Sequence, residues 1–373
     1  MQLLLSLALI VLASATVFFE EDFSDSNWEN RWVVSTARPA AKRGALALAT
    51  GKWVTDAEAE RGLQATEDAR FYTLSTKFPE FTNANSVLVL QYSLKQTQHV
   101  DCGGAYIKLH PKGLDQASYD GASQYNIMFG PDQCGGTKRV HAILTRDGTN
   151  HLINKQIYPE SDLFTHSYTF ILRPDNTYEI LIDGDSKAKG NIEDDWSILP
   201  PKKIQDPAQS KPADWQDNKY IDDPEDKKPE GYDDIPKEIV DPEATKPEDW
   251  DDELDGDWEA PVVPNPEFKG PWRPKQIENP KYQGEWVHPL IDNPEYKPVD
   301  DLYSFPSFEA LGIEVWQVKS GSIFDNFLVT DDEELAATAR KAINARRESE
   351  TKLEAEEKAA EAAAAPAEEA AEP

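Results

Sequence analysis

Ile204–Trp215 (IQDPAQSKPADW), Ile221–Tyr232 (IDDPEDKKPEGY) and Ile239–Trp250 (IVDPEATKPEDW) are three copies of one pattern, set 17 and then 18 residues apart. A second pattern follows at a step of 14: Trp258, Trp272 and Trp286, with Asn265-Pro266, Asn279-Pro280 and Asn293-Pro294, and with Phe268, Tyr282 and Tyr296. Proline fixes φ and cannot donate to a ladder, so these segments exclude helices and central strands. Of the 27 prolines, 18 fall in residues 200–300, where aliphatic runs vanish, so no ordinary core forms there. The strict spacing sets the segment apart from a flexible Pro-rich linker. Three copies of one kind followed by three of another predict an outgoing and a returning limb, antiparallel, with one aromatic per repeat as a small core. The reversal is expected near Leu254-Asp255-Gly256, where Asp-Gly favours a tight turn.

On either side the composition changes. Residues 16–199 read as an antiparallel β-sandwich of many short strands. Ser86–Leu94 (SVLVLQYSL) has strand composition, Val140–Leu144 and His151–Ile153 flank Asp147-Gly148, and Tyr168–Leu172 and Tyr178–Ile182 flank a second turn cluster at 173–176. Residues 301–331 return to strand character. Gly312–Val318 and Ser322–Val329 read as a hairpin around Lys319-Ser320-Gly321 that completes the sandwich, which makes residues 200–300 an insertion. From Asp332 the pattern turns helical, with Leu335, Ala339, Ala342 and Ile343 at i, i+4, i+7 and i+8; the helix must end by Pro366. The fold expected is mainly β: a sandwich with an inserted, extended Pro-rich hairpin arm, and a C-terminal α-helix with an acidic, Ala-rich tail over 332–373.

Residues 1–15 carry a short apolar run, Leu3–Leu12, followed by Ala13-Ser14-Ala15, the pattern of a cleaved signal peptide. No later run reaches membrane-spanning length. A soluble chain of the secretory pathway is therefore expected, beginning near Thr16. A formal net charge of −31 argues against nucleic-acid binding and suits cations, solubility alone being the alternative. Cys102 and Cys134 are the two cysteines; in an oxidising compartment an even pair reads as one disulfide, two buried thiols being the alternative. Closing such a loop stabilises by roughly 3–4 kcal/mol in the chain-entropy model. There is no C-x-x-C pair for disulfide exchange.

Long stretches then carry a resemblance: Cys102–Lys108 (CGGAYIK), Tyr125–Asp132 (YNIMFGPD), the KPxDW repeats and Trp316–Gly321 (WQVKSG). Up to about residue 331 the chain closely resembles the calreticulin/calnexin family, without the transmembrane helix of its membrane-bound branch. The resemblance implies a legume-lectin-like sandwich. It implies a monomeric, calcium-dependent chaperone of the endoplasmic reticulum lumen, not an enzyme, that binds monoglucosylated high-mannose glycans and unfolded glycoproteins. Carried over by residue, the sugar site is Tyr106, Lys108, Gly121, Tyr125, Met128, Asp132, Ile143 and Glu314. Glu314 replaces the Asp usual in the lumenal branch, and Gln156 replaces an acid near the site. This chemistry suits a sugar: Tyr106 and Lys108, two apart, share a strand face, Tyr125 and Met128 offer surface to C–H faces, and carboxylates accept from hydroxyls. An isolated Tyr or Met would more often be core filling; the whole set argues otherwise.

The same resemblance implies a calcium site at Asp325 with main-chain oxygens around Asp22, Ala59 and Arg61. Asp325 sits among bulky apolar residues in IFDNF, where a carboxylate is costly without a partner and a hard cation is a natural one. Glu253, Asp255, Asp257 and Trp258 at the arm tip match the family's docking site for a thioredoxin-fold disulfide isomerase. The alternative for Trp258 is simple packing within its repeat series. Two departures stand out. From Asp331 to Pro373 there are 13 acids and 6 bases, a net of 6 − 13 = −7, diluted with alanine, so few weak calcium sites are expected. The end, Glu369–Pro373 (EAAEP), lacks a KDEL-type signal, which leaves three readings: retention by another route, a truncated sequence, or partial secretion. Asp132 and Glu314 would also suit a glycosidase pair on a similar sandwich, but a hundred residues of repeats have no part in hydrolysis. The six histidines, His141 and His166 among them, read as structural.

Overall fold

The computed structural model describes residues 15–251, 253 and 256–364. The signal-peptide reading therefore falls, but for its last residue, outside the described residues, and Leu254 and Asp255 at the expected arm reversal lie outside them too. Within the described residues no helix is long and apolar enough to cross a membrane. The chain divides into two units, one of 1–201 with 294–373 and one of 202–293.

Among the described residues the first unit has sixteen strands. Fourteen precede the insertion: β1 (Val17–Glu21), β2 (Trp32–Val34), β3 (Leu46–Ala49), β4 (Gly62–Ala65), β5 (Arg70–Phe81), β6 (Leu88–Gln96), β7 (Cys102–Gly104), β8 (Ile107–His110), β9 (Ile127–Cys134), β10 (Thr137–Arg146), β11 (Thr149–Leu152), β12 (His166–Leu172), β13 (Thr177–Ile182) and β14 (Asp185–Asn191). The insertion carries β15 (Lys203–Gln205), β16 (Tyr220–Asp222), β17 (Glu238–Val240), β18 (Val262–Pro264), β19 (Gln276–Glu278) and β20 (Leu290–Asp292), after which come β21 (Phe308–Gln317) and β22 (Ser322–Thr330). One sheet runs β14-β13-β12-β6-β22-β4-β3 with β1 also on β22; the other runs β11-β10-β9-β7-β21-β5-β2 with β8 between β9 and β21. All these ladders are antiparallel.

Strict alternation builds the core. Leu88, Leu90, Tyr92 and Leu94 of β6 meet Ile107 and Leu109 of β8 and Ile127 and Phe129 of β9 between the sheets. The expected hairpin of Gly312–Val318 with Ser322–Val329 is not formed. β21 pairs with β5, β7 and β8, whereas β22 pairs with β1, β4 and β6, so the link 318–321 carries the chain from one sheet to the other. Leu311, Ile313 and Val315 then face the same core as Phe324, Phe327 and Val329. A short turn signal is common to a hairpin and a sheet-to-sheet corner; near-continuous burial of both strands fits the corner, since each is central in its own sheet.

The other face of the β6 sheet is roofed by the C-terminal helix, Glu333–Ala364. Asp332 caps it, its Oδ1 accepting from the backbone N–H of Glu334 and Leu335 at 2.8 and 2.9 Å. The buried stripe is Ala336, Ile343 and Glu350, seven apart, and Ala342 of the expected stripe is exposed. The shift has a physical cause: under the helix lies a polar layer that rewards charged groups. Arg340 donates to Gln91 and Thr169, Asn344 to the Asp183 carbonyl, Arg347 to Asp183 and Lys95 to Glu350.

In the insertion, β15 pairs β20, β16 pairs β19 and β17 pairs β18, all antiparallel, which is the out-and-back arrangement that the spacing predicts. Ile204 faces Ile291, Ile221 faces Ile277 and Ile239 faces Val263. The repeated asparagines lock the rungs. Asn265 and Asn279 are buried, donate from Nδ2 to the carbonyls of Pro236 and Asn218, and accept at Oδ1 from the next-but-one backbone N–H.

Cys102 and Cys134 lie directly opposite each other on β7 and β9 and are joined by a disulfide. Native protein should therefore gain no alkyl groups before reduction and two after it, and reduction should cost roughly 3–4 kcal/mol of unfolding free energy. Two alkylatable thiols in the native protein would contradict the bond.

Candidate functional site

Because β8, β9, β10 and β21 each send alternate residues into the core, their other residues share the outer face of that sheet. Lys108 lies opposite Met128 and Gly312, and Met128 opposite Ile143. Tyr125, Met128 and Ile143 form a small apolar cluster with Tyr106 packed against it. Glu314, between core residues Ile313 and Val315, joins this face. Its Oε2 accepts from Lys108 Nζ at 3.1 Å and its Oε1 from Arg38 Nη2 at 3.1 Å. The Lys108 ammonium also lies 5.8 Å from the Tyr106 ring centroid and 5.1 Å from that of Tyr125. A Cβ on Gly121 would stand 3.3 Å from Glu314 Oε1, so Gly121 keeps the approach to that carboxylate open. Burial, with help from Glu314, Asp132 and Tyr125, raises the Tyr106 phenol well above its usual range, so it stays a donor.

Asp132 stands further along β9, half-exposed, 3.2 Å from His141 Nε2. His141 lies edge-on to Tyr106, 6.2 Å between centroids, and so belongs to this face although the sequence marked it only as structural. Gln156 donates to the Lys138 carbonyl and borders a cavity of about 150 Å3 with Arg139 and His141. On the other side of Glu314 a cavity of about 560 Å3 is lined by Arg38, Pro39, Lys42, Phe71 and Trp316. Trp316 follows Glu314 by two residues on β21, a spacing that could have flagged it. Nothing in the sequence signals Arg38, 276 positions from its partner. Chemically the face offers a fixed anion, an ammonium, phenol hydroxyls and apolar surface, the groups a sugar ring needs.

Asp325 pairs with Ser93 on β6 at the edge of a β-bulge of β22, next to Asn326 at φ +52°. It is buried, and burial pushes its carboxyl up to about 7 against the pull of Arg346, with Asp22 adding to the rise. Oδ1 is buried without a partner, while Oδ2 accepts from Arg346 Nη1 at 3.0 Å and Asn326 Nδ2 at 2.8 Å. The Ala59 carbonyl accepts from Arg346 Nη2, so the same guanidinium brings Ala59 and Asp325 together. Gly62, next to Arg61, touches Asp325: a Cβ there would lie 2.8 Å from Asp325 Cβ. Among the described residues no three His, Cys, Asp or Glu converge on one point. The donors present, a carboxylate oxygen lacking a partner and main-chain carbonyls, nonetheless fit a hard oxygen-seeking cation.

At the arm tip, Glu253 and Asp257 are exposed and Trp258 is half-buried, while Trp250 donates to the Gly256 carbonyl at 2.9 Å. Asp255 lies outside the described residues.

Two antiparallel sheets face to face, interrupted in sequence by a Pro-rich hairpin, define a lectin-like β-sandwich protein. Residues 19–256 and 254–329 match the calreticulin family model, and the chain belongs to the calreticulin family. It is 54% identical to calreticulin of Dictyostelium discoideum over 360 residues, covering 95% of this chain and 84% of that protein. It is 55% identical to calreticulin of Mus musculus over 336 residues, covering 90% and 80%. A solved structure described as the T. cruzi calreticulin globular domain superposes with a TM-score of 0.64 at 31% identity, covering 92% of this chain and 99% of that one. The family is one of calcium-binding lectin chaperones of the endoplasmic reticulum and is not an enzyme family.

Proposed function

We propose that this protein binds monoglucosylated high-mannose N-glycans on unfolded glycoproteins and assists their folding in the endoplasmic reticulum lumen. The single observation that carries the reading is the Lys108–Glu314 pair set among Tyr106, Tyr125 and Met128. Glu314 and Asp132 accept from sugar hydroxyls, Lys108 and the Tyr106 hydroxyl donate, and Met128 and Ile143 meet the C–H faces. Gly121 leaves room for the ring beside Glu314. Calcium is held by Asp325 with the main-chain oxygens at Asp22, Ala59 and Arg61, and supplies a partner for the buried Asp325 Oδ1, which has none. Probing a panel of immobilised oligosaccharides with calcium present tests the reading. Signal confined to glucose-capped mannose glycans is the expected result; equal signal for uncapped glycans, or none at all, refutes it.

Glu253, Asp255, Asp257 and Trp258 at the arm tip are proposed to dock a thioredoxin-fold disulfide isomerase, a half-buried aromatic among acids fitting a basic partner surface. Because the tip belongs to a separate unit from the sugar face, Trp258→Ala should weaken isomerase docking at least about tenfold, as loss of an interface anchor costs, and leave glycan affinity unchanged. Parallel loss of both activities in surface-plasmon-resonance titrations would show that the two are not separable.

A further inference from the structure

We propose that Arg346 is a built-in counter-ion of the calcium site, competing with the metal for Asp325 and for the Ala59 carbonyl, so that calcium binding loosens the C-terminal helix. The proposal rests on the calcium reading above. Calcium takes six to eight oxygens at about 2.3–2.6 Å, so each donor must turn a lone pair to the ion. Two of the donor groups already serve one guanidinium: Arg346 Nη1 lies 3.0 Å from Asp325 Oδ2 and Nη2 is bonded to the Ala59 carbonyl. The arginine side chain is 14% exposed and the aspartate 4% exposed, so solvent screens the pair weakly. A metal ion placed on Asp325 Oδ1, the buried oxygen without a partner, would face that guanidinium across a few ångströms. Two like charges so close in a buried setting repel strongly. One of them must leave, or the ion must bind less tightly than the donors alone would hold it.

The arrangement has a purpose when calcium is scarce. An unpaired carboxylate buried beneath the helix is costly; Arg346 provides the missing positive charge and at the same time pins the middle of the helix. The neighbouring anchors are also ionic or polar rather than apolar: Arg347 on Asp183, Asn344 on the Asp183 carbonyl and Glu350 on Lys95. Only Ala336 and Ile343 are buried apolar residues of the helix. Displacing Arg346 therefore removes one of few ties along this turn, and the loosening should centre on residues 343–350.

Isothermal calcium titration of the full chain and of Arg346→Met, with Asp325→Ala to identify the phase belonging to this site, reads the competition directly. Arg346→Met should bind calcium at least about tenfold more tightly in that phase, given the repulsion removed. It should melt lower than wild type without calcium and show the larger calcium-induced rise in melting temperature. If Arg346→Met does not fold without calcium, Arg346→Lys replaces it; one ammonium cannot span both oxygens, so tighter binding than wild type is again expected. Hydrogen exchange on wild type should show faster exchange of amides 343–350 on calcium addition. Equal or weaker calcium affinity in the folded variants, with unchanged exchange, overturns the proposal and leaves the calcium site standing. Absence of any calcium phase sensitive to Asp325→Ala overturns both.

Discussion

Glu314→Ala is expected to lose about 3–5 kcal/mol of unfolding free energy, as removal of one member of a buried ion pair does. The reason lies in the geometry of the pair. Glu314 stands between two cations, and its removal leaves the Lys108 ammonium, whose side chain is 4% exposed, without a carboxylate. Arg38 is more exposed and water screens it, so the larger share of the loss comes from Lys108. The reverse substitution should be milder. Lys108→Ala leaves Glu314 still bonded to Arg38, and the cost should be about 1.5–3 kcal/mol, the worth of a hydrogen bond to a charged group. Urea unfolding of both variants checks the ordering; equal losses, or a larger loss for Lys108→Ala, would show that the carboxylate is not the hub of this face.

The second large effect concerns the helix. Glu350 is fully buried and accepts from Lys95 Nζ at 2.8 Å, from the Thr165 backbone N–H at 2.6 Å and from the Thr165 hydroxyl at 2.6 Å. Glu350→Ala leaves the buried Lys95 ammonium with the Lys52 carbonyl but no counter-ion, and the Thr165 N–H without its acceptor, so a loss of about 3–5 kcal/mol is expected. The loss should appear first as detachment of the helix from the β6 sheet, with hydrogen exchange rising along Glu333–Ala364 before the sandwich opens. Glu350→Gln keeps the acceptor for Thr165 but not the charge for Lys95, and should fall between. A change below about 1 kcal/mol, the usual scale of exposed pairs, would mean the helix is held by something else.

How much of this was legible beforehand differs from element to element. The out-and-back ladders of the insertion could be read because two repeat lengths, each with its own aromatic and Pro positions, leave few ways to pair. The sandwich was legible as a class through alternation, but alternation says which face a residue takes, not which strand lies beside it. That is why Gly312–Val318 and Ser322–Val329 read as a hairpin and turned out to be central strands of opposite sheets. The helix was legible and its buried side was not, because a search for apolar spacing overlooks Glu350, which is buried through its charge. At the proposed sugar face, Tyr106, Lys108 and Glu314 came from the resemblance, with strand alternation supporting the first two. Arg38 came from neither, since a loop residue meeting a strand hundreds of positions away leaves no local pattern. His141 was dismissed as structural because a lone histidine carries no signal until its neighbour Asp132 is placed across the ladder. Arg346 carries no sequence signal either, since its partners Asp325 and Ala59 lie on other elements.

Titration calorimetry of the purified chain, in calcium, with an oligomannose glycan that ends in one glucose tests the central claim most directly. The account predicts saturable binding of the glucose-capped glycan. For Asp132→Ala, shown to be folded by circular dichroism, it predicts affinity at least about tenfold lower, equivalent to about 1.4 kcal/mol or more. Gln156→Ala should lose less, because a neutral amide forms weaker bonds than a carboxylate. A wild-type protein that is folded, loaded with calcium and still silent toward the glucose-capped glycan would contradict the account.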